Sequence, residues 1–236
     1  MAGAMARGMR GEVESMLFTD SGSGRALALA ADVGGEALGS NAELAVRADV
    51  VVLAVKPAAL GRVAAELKGA RVVVSLLGAT SLATVRDAFP DATVVRVMPN
   101  VGVEVRRGVL CLAGEPDEGL RRVLDGLGHV VELADEEFDL ATAVMGCAPA
   151  YLALAVEAIA EAGVAEGLGE ELARELVVET AAGTAELLRI RHPADVRRAV
   201  ASPGGSTEAG LEALDRGGAR AAFEAAVRAS LERMRG

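Results

Sequence analysis

The segment Ser202–Thr207 combines two glycines with three hydroxyl side chains and lies between two predicted helices. Glycines leave backbone N–H groups accessible and hydroxyls add donors, so such a segment can bind an anion where a helix begins. A small carboxylate would suit it. An N-cap formed by Ser206 or Thr207 is the alternative interpretation, and the two are compatible because an N-cap surface is already rich in donors.

The N-terminus holds part of a glycine turn that binds nucleotides. Dinucleotide-binding folds open with a strand, then Gly-x-Gly-x-x-Gly, then a helix whose N-terminus faces the pyrophosphate. Here Gly3, Ala4, Met5 and Ala6 resemble the second half of that motif, with Ala6 in place of the third glycine. The first glycine and the leading strand have no counterpart before Gly3. A glycine placed there by chance is the alternative interpretation.

A polar turn, Thr19–Arg25, follows the first predicted strand. NAD enzymes usually carry an acid at this position to bind the ribose, whereas NADP enzymes use hydroxyls and Arg to hold the 2′-phosphate. Ser21, Ser23 and Arg25 suit a phosphate, and Asp20 suits it only if its carboxylate points away. We therefore favour NADP(H) as the cofactor, with NAD(H) as the second option. An ordinary exposed turn is the alternative.

Two further polar residues follow predicted strands, at the edge where open α/β sheets bind ligands. Lys56 comes directly after an apolar run and precedes Pro57, and Asn100 ends another run. Lys56 could equally be a simple charge at a strand end. Asn100 can hydrogen-bond to a carboxamide or cap the next turn, and capping is the commoner role for a single Asn.

Apolar runs alternate with helical patterns through the first part of the chain. Continuous apolar runs suit parallel strands buried on both faces, and their alternation with helices predicts a parallel, doubly wound sheet. The predicted strands are 13–19, 50–55, 71–78 and 93–100, with 109–113 and 129–133 as candidates to extend the sheet. The predicted helices in this part are 1–10, 25–34, 58–68 and 80–89.

After about residue 135 only helical patterns remain. The predicted helices are 136–144, 149–165, 169–190, 193–200, 206–214 and 218–235. We therefore predict an α/β domain over residues 1–134 and an all-α domain over residues 135–236. Helices 149–165 and 169–190 are apolar over much of their circumference, as helices in a core or in a subunit interface are.

Composition excludes several classes of function. The net charge of −10 disfavours nucleic acid and anionic lipid surfaces as partners. Two cysteines and two histidines without metal-ligand spacing make a metal site improbable. No apolar run approaches the roughly 20 residues that span a bilayer, and no signal pattern opens the chain. The expected location is the cytoplasm.

Five segments, taken in order, carry a resemblance to a known family. They are VVVLAVKP (50–57), VVRVMPN (94–100), TAVMGCAPAY (142–151), EAIAEAGVAEGL (157–168) and ASPGGSTEAGLEAL (201–214). Together they resemble the pyrroline-5-carboxylate reductases, and the resemblance covers the chain from Gly3 onward. It implies a Rossmann-like N-terminal domain and a helical C-terminal domain that interlocks with a second subunit. It also implies transfer of a hydride from NADPH, sometimes NADH, to the C=N carbon of 1-pyrroline-5-carboxylate, giving L-proline without a metal.

The resemblance also assigns site residues. It places the substrate loop on Ser202, Gly204, Gly205, Ser206 and Thr207, with the Thr207 hydroxyl near the ring nitrogen for hydrogen bonding or proton delivery. The expected cofactor contacts are Gly3, Ala4, Met5, Ser21, Arg25, Asn41, Ala54, Lys56, Pro57 and Asn100, with Asn41 on the adenosine ribose side.

Three departures from the family pattern keep alternatives open. The first strand is absent, so the sheet should lack a central strand. Met145–Ala148 replaces the usual Ser-Gly-Ser-Gly, and Val101-Gly102 replaces Thr-Pro. One alternative is a related NADP(H) oxidoreductase acting on another imine or carbonyl. The other is a dimeric paralogue that keeps the fold without catalysis.

Overall fold

Strands and helices alternate through the N-terminal part of the computed structural model, which describes residues 1–235. Contacts divide the chain into two compact units, residues 1–147 with the last residues from Ser230, and residues 148–229. The helices of the first unit are α1 (Ala2–Gly8), α2 (Arg25–Val33), α3 (Asn41–Arg47), α4 (Leu60–Glu66), α5 (Leu82–Ala88), α6 (Glu118–Leu127) and α7 (Phe138–Ala141). Its strands are β1 (Leu17–Phe18), β2 (Glu36–Ala37), β3 (Val50–Leu53), β4 (Val72–Ser75), β5 (Thr93–Pro99), β6 (Gly108–Ala113) and β7 (Gly128–Glu132).

The larger sheet has the strand order β3-β4-β5-β6-β7. Pairs β3–β4, β4–β5 and β6–β7 are parallel, whereas β5 and β6 are antiparallel. The sequence predicted a parallel sheet throughout. The β5–β6 connection is a short 3₁₀ turn at Val101–Val105, and a parallel crossover needs about a dozen residues or more. The short connection therefore reverses the chain.

Strands β1 and β2 form a separate parallel sheet of two strands. The sequence predicted a strand over residues 13–19, but only Leu17–Phe18 pair. The reason is that β1 has one partner strand, and that strand is equally short. The sequence predicted that a central strand would be absent, and in the structure β1 and β2 form a sheet separate from β3–β7.

Both faces of the larger sheet are buried at β4 and β5, as their apolar runs predicted, whereas Val52 of β3 is exposed. Val51, Leu53, Val73 and Val94 belong to one core cluster, together with side chains from α4 and α5. The alternate residues of the same strands, such as Val74 and Val95, belong to a second cluster, which includes residues of α1 and α6. The alternation follows from the two-residue period of a strand.

The second unit is helical. It consists of α8 (Ala148–Ala165), α9 (Glu170–Leu188), α10 (Pro193–Val200), α11 (Ser206–Arg216) and most of α12 (Ala219–Arg235). Many large apolar side chains are exposed here, among them Leu152, Leu154 and Ile159 of α8. Exposed apolar side chains in this number typically mark a contact with a partner.

One helical stretch among residues 1–235, Asp135–Ala165, is long and apolar enough to cross a membrane by length and composition alone. The prediction that no run approaches this length is wrong here. An 18-residue window within it has a mean hydropathy of 1.7. The stretch includes the π-helical turn Thr142–Gly146 and α8.

Candidate functional site

Helix α1 contains the residues predicted to bind the pyrophosphate. Met5 is 2% exposed, lies in the second core cluster, and already donates its N–H to the carbonyl of Met1 at 3.1 Å. The side chain of Ala4 is also buried. The N–H groups of Gly3 and Ala4 belong to the first turn, which has no acceptor within the helix. These two backbone amides, rather than the Met5 side chain, are the donors offered to an anion.

The turn before α2 is organised by Asp20. Its carboxylate accepts hydrogen bonds from the N–H groups of Gly22, Ser23 and Ala26 and from the Ser23 hydroxyl, so it points into its own loop. The bond from Ala26, with those from Gly22 and Ser23, lowers the pKa of Asp20 despite partial desolvation. Ser21 and Arg25, the residues predicted for a 2′-phosphate, are exposed.

Asn41 is the first residue of α3 and links two elements near this turn. Its side-chain oxygen accepts from the Thr19 hydroxyl at 2.6 Å, and its nitrogen donates to the Glu66 carboxylate at 2.6 Å. The Asn41 bond, followed by that from Arg62, lowers the pKa of Glu66. The structure therefore brings Asn41 to the end of β1, beside the turn predicted to bind the ribose phosphate.

Residues 54–57 form an exposed segment directly after β3. Ala54, Lys56 and Pro57 are all exposed, and Pro57 begins a 3₁₀ turn. A ligand at the carboxyl end of this strand would meet a backbone that few side chains cover. The structure keeps these predicted cofactor contacts together and accessible.

Asn100 has the capping role that the sequence left open. Its side-chain oxygen accepts from the N–H groups of Gly102 and Val109, and its nitrogen donates to the carbonyl of Met145 at 3.2 Å. That carbonyl lacks its usual helical donor because Pro149, four residues on, has no N–H. The Asn100 side chain is thus engaged by protein groups, and it joins the end of β5 to the π-helical turn.

A buried charge cluster surrounds Arg96 and was not predicted from the sequence. Arg96 is 3% exposed, pairs with Asp135 at 2.8 Å, and stacks 4.4 Å from the centre of the Phe138 ring. Asp139 lies at 4.0 Å, and the Arg96 Nε has no hydrogen-bond partner within the described residues. Asp135 also accepts the N–H of Leu82 at the start of α5. An Arg inside the apolar run VVRVMPN was the available signal.

The loop Ser202–Thr207 lies in the second unit. Gly204 has a φ of +70°, and its N–H donates to the Glu208 carboxylate at 2.6 Å. Gly205, rather than Ser206 or Thr207, is the N-cap of α11, so the alternative interpretation of the loop as a hydroxyl N-cap is wrong. A side chain on Gly205 would meet the carbonyl of Ser202 at 2.9 Å, which is why the close turn uses glycine.

The donors of this loop are accessible. The hydroxyls of Ser206 and Thr207 belong to exposed residues, and their N–H groups lie in the first helical turn, without an acceptor inside α11. Among residues 1–235, no group of three His, Cys, Asp or Glu side chains could hold a metal ion. The predicted cofactor contacts thus lie in the first unit and the predicted substrate loop in the second.

Family models match both parts of the chain. Residues 135–236 match the model described as pyrroline-5-carboxylate reductase dimerisation. Residues 1–78 match the model described as NADP oxidoreductase, coenzyme F420-dependent.

Sequence similarity to known proteins extends along most of the chain. A pyrroline-5-carboxylate reductase from Synechocystis sp. is 40% identical over 82% of this chain and 76% of its own length. One from Thermus thermophilus is 37% identical over 79% of this chain and 74% of its own length.

Solved structures extend the similarity to the fold. The 1-pyrroline-5-carboxylate reductase of Streptococcus pyogenes has a TM-score of 0.89 and 28% identity, covering 99% of this chain and 94% of that one. The Plasmodium falciparum pyrroline carboxylate reductase with NADP bound has a TM-score of 0.86 and 26% identity, covering 98% and 92%. The Rossmann-like N-terminal part and the helical C-terminal part, with these relatives, show that the chain belongs to the pyrroline-5-carboxylate reductase family.

Proposed function

We propose that this chain reduces 1-pyrroline-5-carboxylate to L-proline with NADPH. The observation that carries the proposal is the accessible group of donors at the start of α11, where two N–H groups and two hydroxyls can meet a small carboxylate. NADP in the Plasmodium relative supports the same cofactor here. An imine is already electrophilic, so the protein needs mainly to hold the carboxylate and orient the C=N bond.

The first unit offers a fitting cradle for the cofactor. The N–H groups of Gly3 and Ala4 suit the pyrophosphate. Ser21 and Arg25 suit a 2′-phosphate. The exposed segment Ala54–Pro57 leaves space for the cofactor after β3. When bound, NADPH supplies the hydride. Asn41 would hydrogen-bond to the ribose side of the cofactor. Its side chain already bonds to Thr19 and Glu66, so it would bind the ribose in addition to these partners or in place of one of them.

The second unit would hold the substrate. Amides of Ser206 and Thr207 bind the carboxylate, while Ser202, Gly204 and Gly205 shape the loop. The Thr207 hydroxyl donates a hydrogen bond to the ring nitrogen and relays a proton to it from solvent as the ring carbon gains hydride, so that the hydroxyl is restored. In proline the former C=N carbon has then gained one hydrogen and the nitrogen another.

A non-catalytic paralogue is the second candidate, and the division of the sheet into two parts favours it. A nucleotide site beside that gap lacks one wall, which would weaken cofactor binding. An NADP(H) oxidoreductase acting on another imine or carbonyl is the third, because Met145 and Cys147 stand where the family has serines and Ala148 where it has a glycine. The Met145 side chain packs against the first core cluster, so its bulk is partly withdrawn from that segment.

We propose that the chain works as a cytoplasmic homodimer, without nucleic acid or membrane partners. The exposed apolar residues of α8 and α9 and the match of residues 135–236 to a dimerisation model support this assembly. For the same reason we assign the apolar stretch Asp135–Ala165 to a subunit interface rather than a bilayer. We further propose residues 1–134 as the cofactor domain and 135–236 as the substrate and dimerisation domain.

Substitution of Thr207 tests the proposed reaction. Thr207→Val removes the hydroxyl at nearly constant volume and should lower kcat/KM for 1-pyrroline-5-carboxylate about 100-fold, because proton transfer loses its donor. Thr207→Ser is the matched control and should stay within about threefold, since it keeps the hydroxyl. Turnover by Thr207→Val equal to that of the parent chain would remove Thr207 from the chemistry.

A further inference from the structure

We propose that Asp20 determines coenzyme choice in this chain, by weakening the preference for a nucleotide that carries a 2′-phosphate. The inference rests on the proposed function, because it concerns the turn that would meet the adenosine ribose. It concerns a residue that the assignment of Ser21 and Arg25 leaves without a role.

The carboxylate of Asp20 is saturated with donors. Oδ1 accepts the N–H groups of Gly22 at 2.6 Å and Ser23 at 3.0 Å. Oδ2 accepts the Ser23 hydroxyl at 3.1 Å and the N–H of Ala26 at 2.8 Å. A carboxylate offers about four lone-pair sites, so none remains for another partner. Gly22 and Gly24, with φ of +87° and +77°, let the loop close around this side chain.

The same donors would otherwise form a phosphate site. Successive backbone N–H groups in a turn before a helix make a concave surface that binds anions. Here the chain supplies its own anion to that surface. A 2′-phosphate approaching the turn finds the N–H groups of Gly22, Ser23 and Ala26 already bound, with only Ser21 and Arg25 exposed for contact.

The negative charge of Asp20 also weakens the preference for a nucleotide with a 2′-phosphate. The Asp20 carboxylate is fixed in the turn, so an incoming 2′-phosphate must bind beside a negative charge, whereas a 2′-hydroxyl carries none to repel. Saturation of the donors and the charge of Asp20 therefore both lower the advantage of NADP(H) over NAD(H).

The test compares binding of 2′,5′-ADP and ADP to the full chain by calorimetry. Asp20→Asn removes the charge while keeping an acceptor oxygen, and should raise the preference for 2′,5′-ADP over ADP about tenfold. Asp20→Glu keeps the charge and should show no such gain. Glu115→Gln, at an exposed acid in the same unit, is the control for net charge and should leave the preference unchanged.

The parent chain gives an independent test if Asp20→Asn does not fold. It should prefer 2′,5′-ADP over ADP by less than about tenfold. A preference above about 100-fold in the parent chain, or an unchanged preference in folded Asp20→Asn, would overturn the role of Asp20. Binding without turnover would contradict the proposed reaction alone, and a chain that binds neither nucleotide would overturn both proposals.

Discussion

At the scale of single residues, Arg96 shows how a buried charge holds one part of the chain to another. It is the one charged side chain among the buried residues within 1–235, and it connects β5 to Asp135 and Phe138, which precede the π-helical turn. Taking a guanidinium out of water is costly, so its contribution depends on retaining both the carboxylate and the ring. The cluster positions the segment that also receives Asn100.

Replacement of Arg96 tests this dependence. Arg96→Met should lower the free energy of unfolding by about 3 kcal/mol, because it leaves the half-buried carboxylate of Asp135 without its partner. Arg71→Met breaks an exposed pair with Asp49 and should cost under about 1 kcal/mol. Urea denaturation of both variants measures the difference. Equal losses would show that the buried cluster is no stronger than a surface ion pair.

Residue types alone indicated some of the site but not its bonding. The loop at 202–207 and the turn at 19–25 were identifiable because glycines and hydroxyls are clustered in sequence. The role of Asn100 stayed open because its partner Met145 is 45 positions away. The partners of Arg96 could not be identified from the sequence for the same reason, since Asp135 is 39 positions from it.

At the scale of elements, α1 is held in place by its C-terminal half. Arg7 pairs with Asp32 of α2 and with Glu104, both at 2.9 Å. Arg106, in a left-handed conformation with a φ of 57°, donates to the carbonyl of Gly8 at 2.9 Å. These contacts fix the helix whose first turn contains Gly3 and Ala4, the residues that we propose for nucleotide binding.

The contact between α1 and the turn after β5 requires glycine. A side chain on Gly8 would come within 2.1 Å of the carbonyl oxygen of Val103, so Gly8→Ala should destabilise the chain by about 1–3 kcal/mol. Gly126 of α6 has open space around it, and Gly126→Ala should stabilise by about 0.5–1 kcal/mol through helix propensity. Thermal unfolding of the two variants should therefore shift in opposite directions. A stabilising Gly8→Ala would refute the close packing.

Elements with a strong local signal were predictable, and those without one were not. The runs at β3, β4 and β5 are apolar enough to identify strands from sequence. Strand β2 has two residues and exists only through pairing with β1, so nothing local marks it. Helix α6 was missed although Asp117 caps it and Leu120, Leu124 and Leu127 line its buried face, because two glycines interrupt the pattern.

At the scale of the whole molecule, the helical unit has too little core to account for its apolar content. Among its residues described in the single chain, Ala173 is buried in α9, whereas α8 has no buried residue. Apolar side chains left exposed on this scale gain stability when a second subunit covers them. The proposed homodimer follows from this imbalance.

Charged substitutions on α8 test the homodimer. Ile159→Glu places a charge where we expect an apolar interface and should shift the parent dimer toward single chains by at least about tenfold in dissociation constant. Val46→Glu, at an exposed apolar residue of α3 in the first unit, is the matched control and should leave the mass unchanged. Analytical ultracentrifugation reports both. A parent chain that sediments as a monomer would contradict the proposed assembly.

The most direct measurement is NADPH oxidation by the purified chain with 1-pyrroline-5-carboxylate, together with identification of the product. We predict one L-proline formed for each NADPH consumed, with loss of turnover in Thr207→Val. A folded dimer that binds NADPH yet forms no proline would contradict the assigned reaction and favour the non-catalytic paralogue.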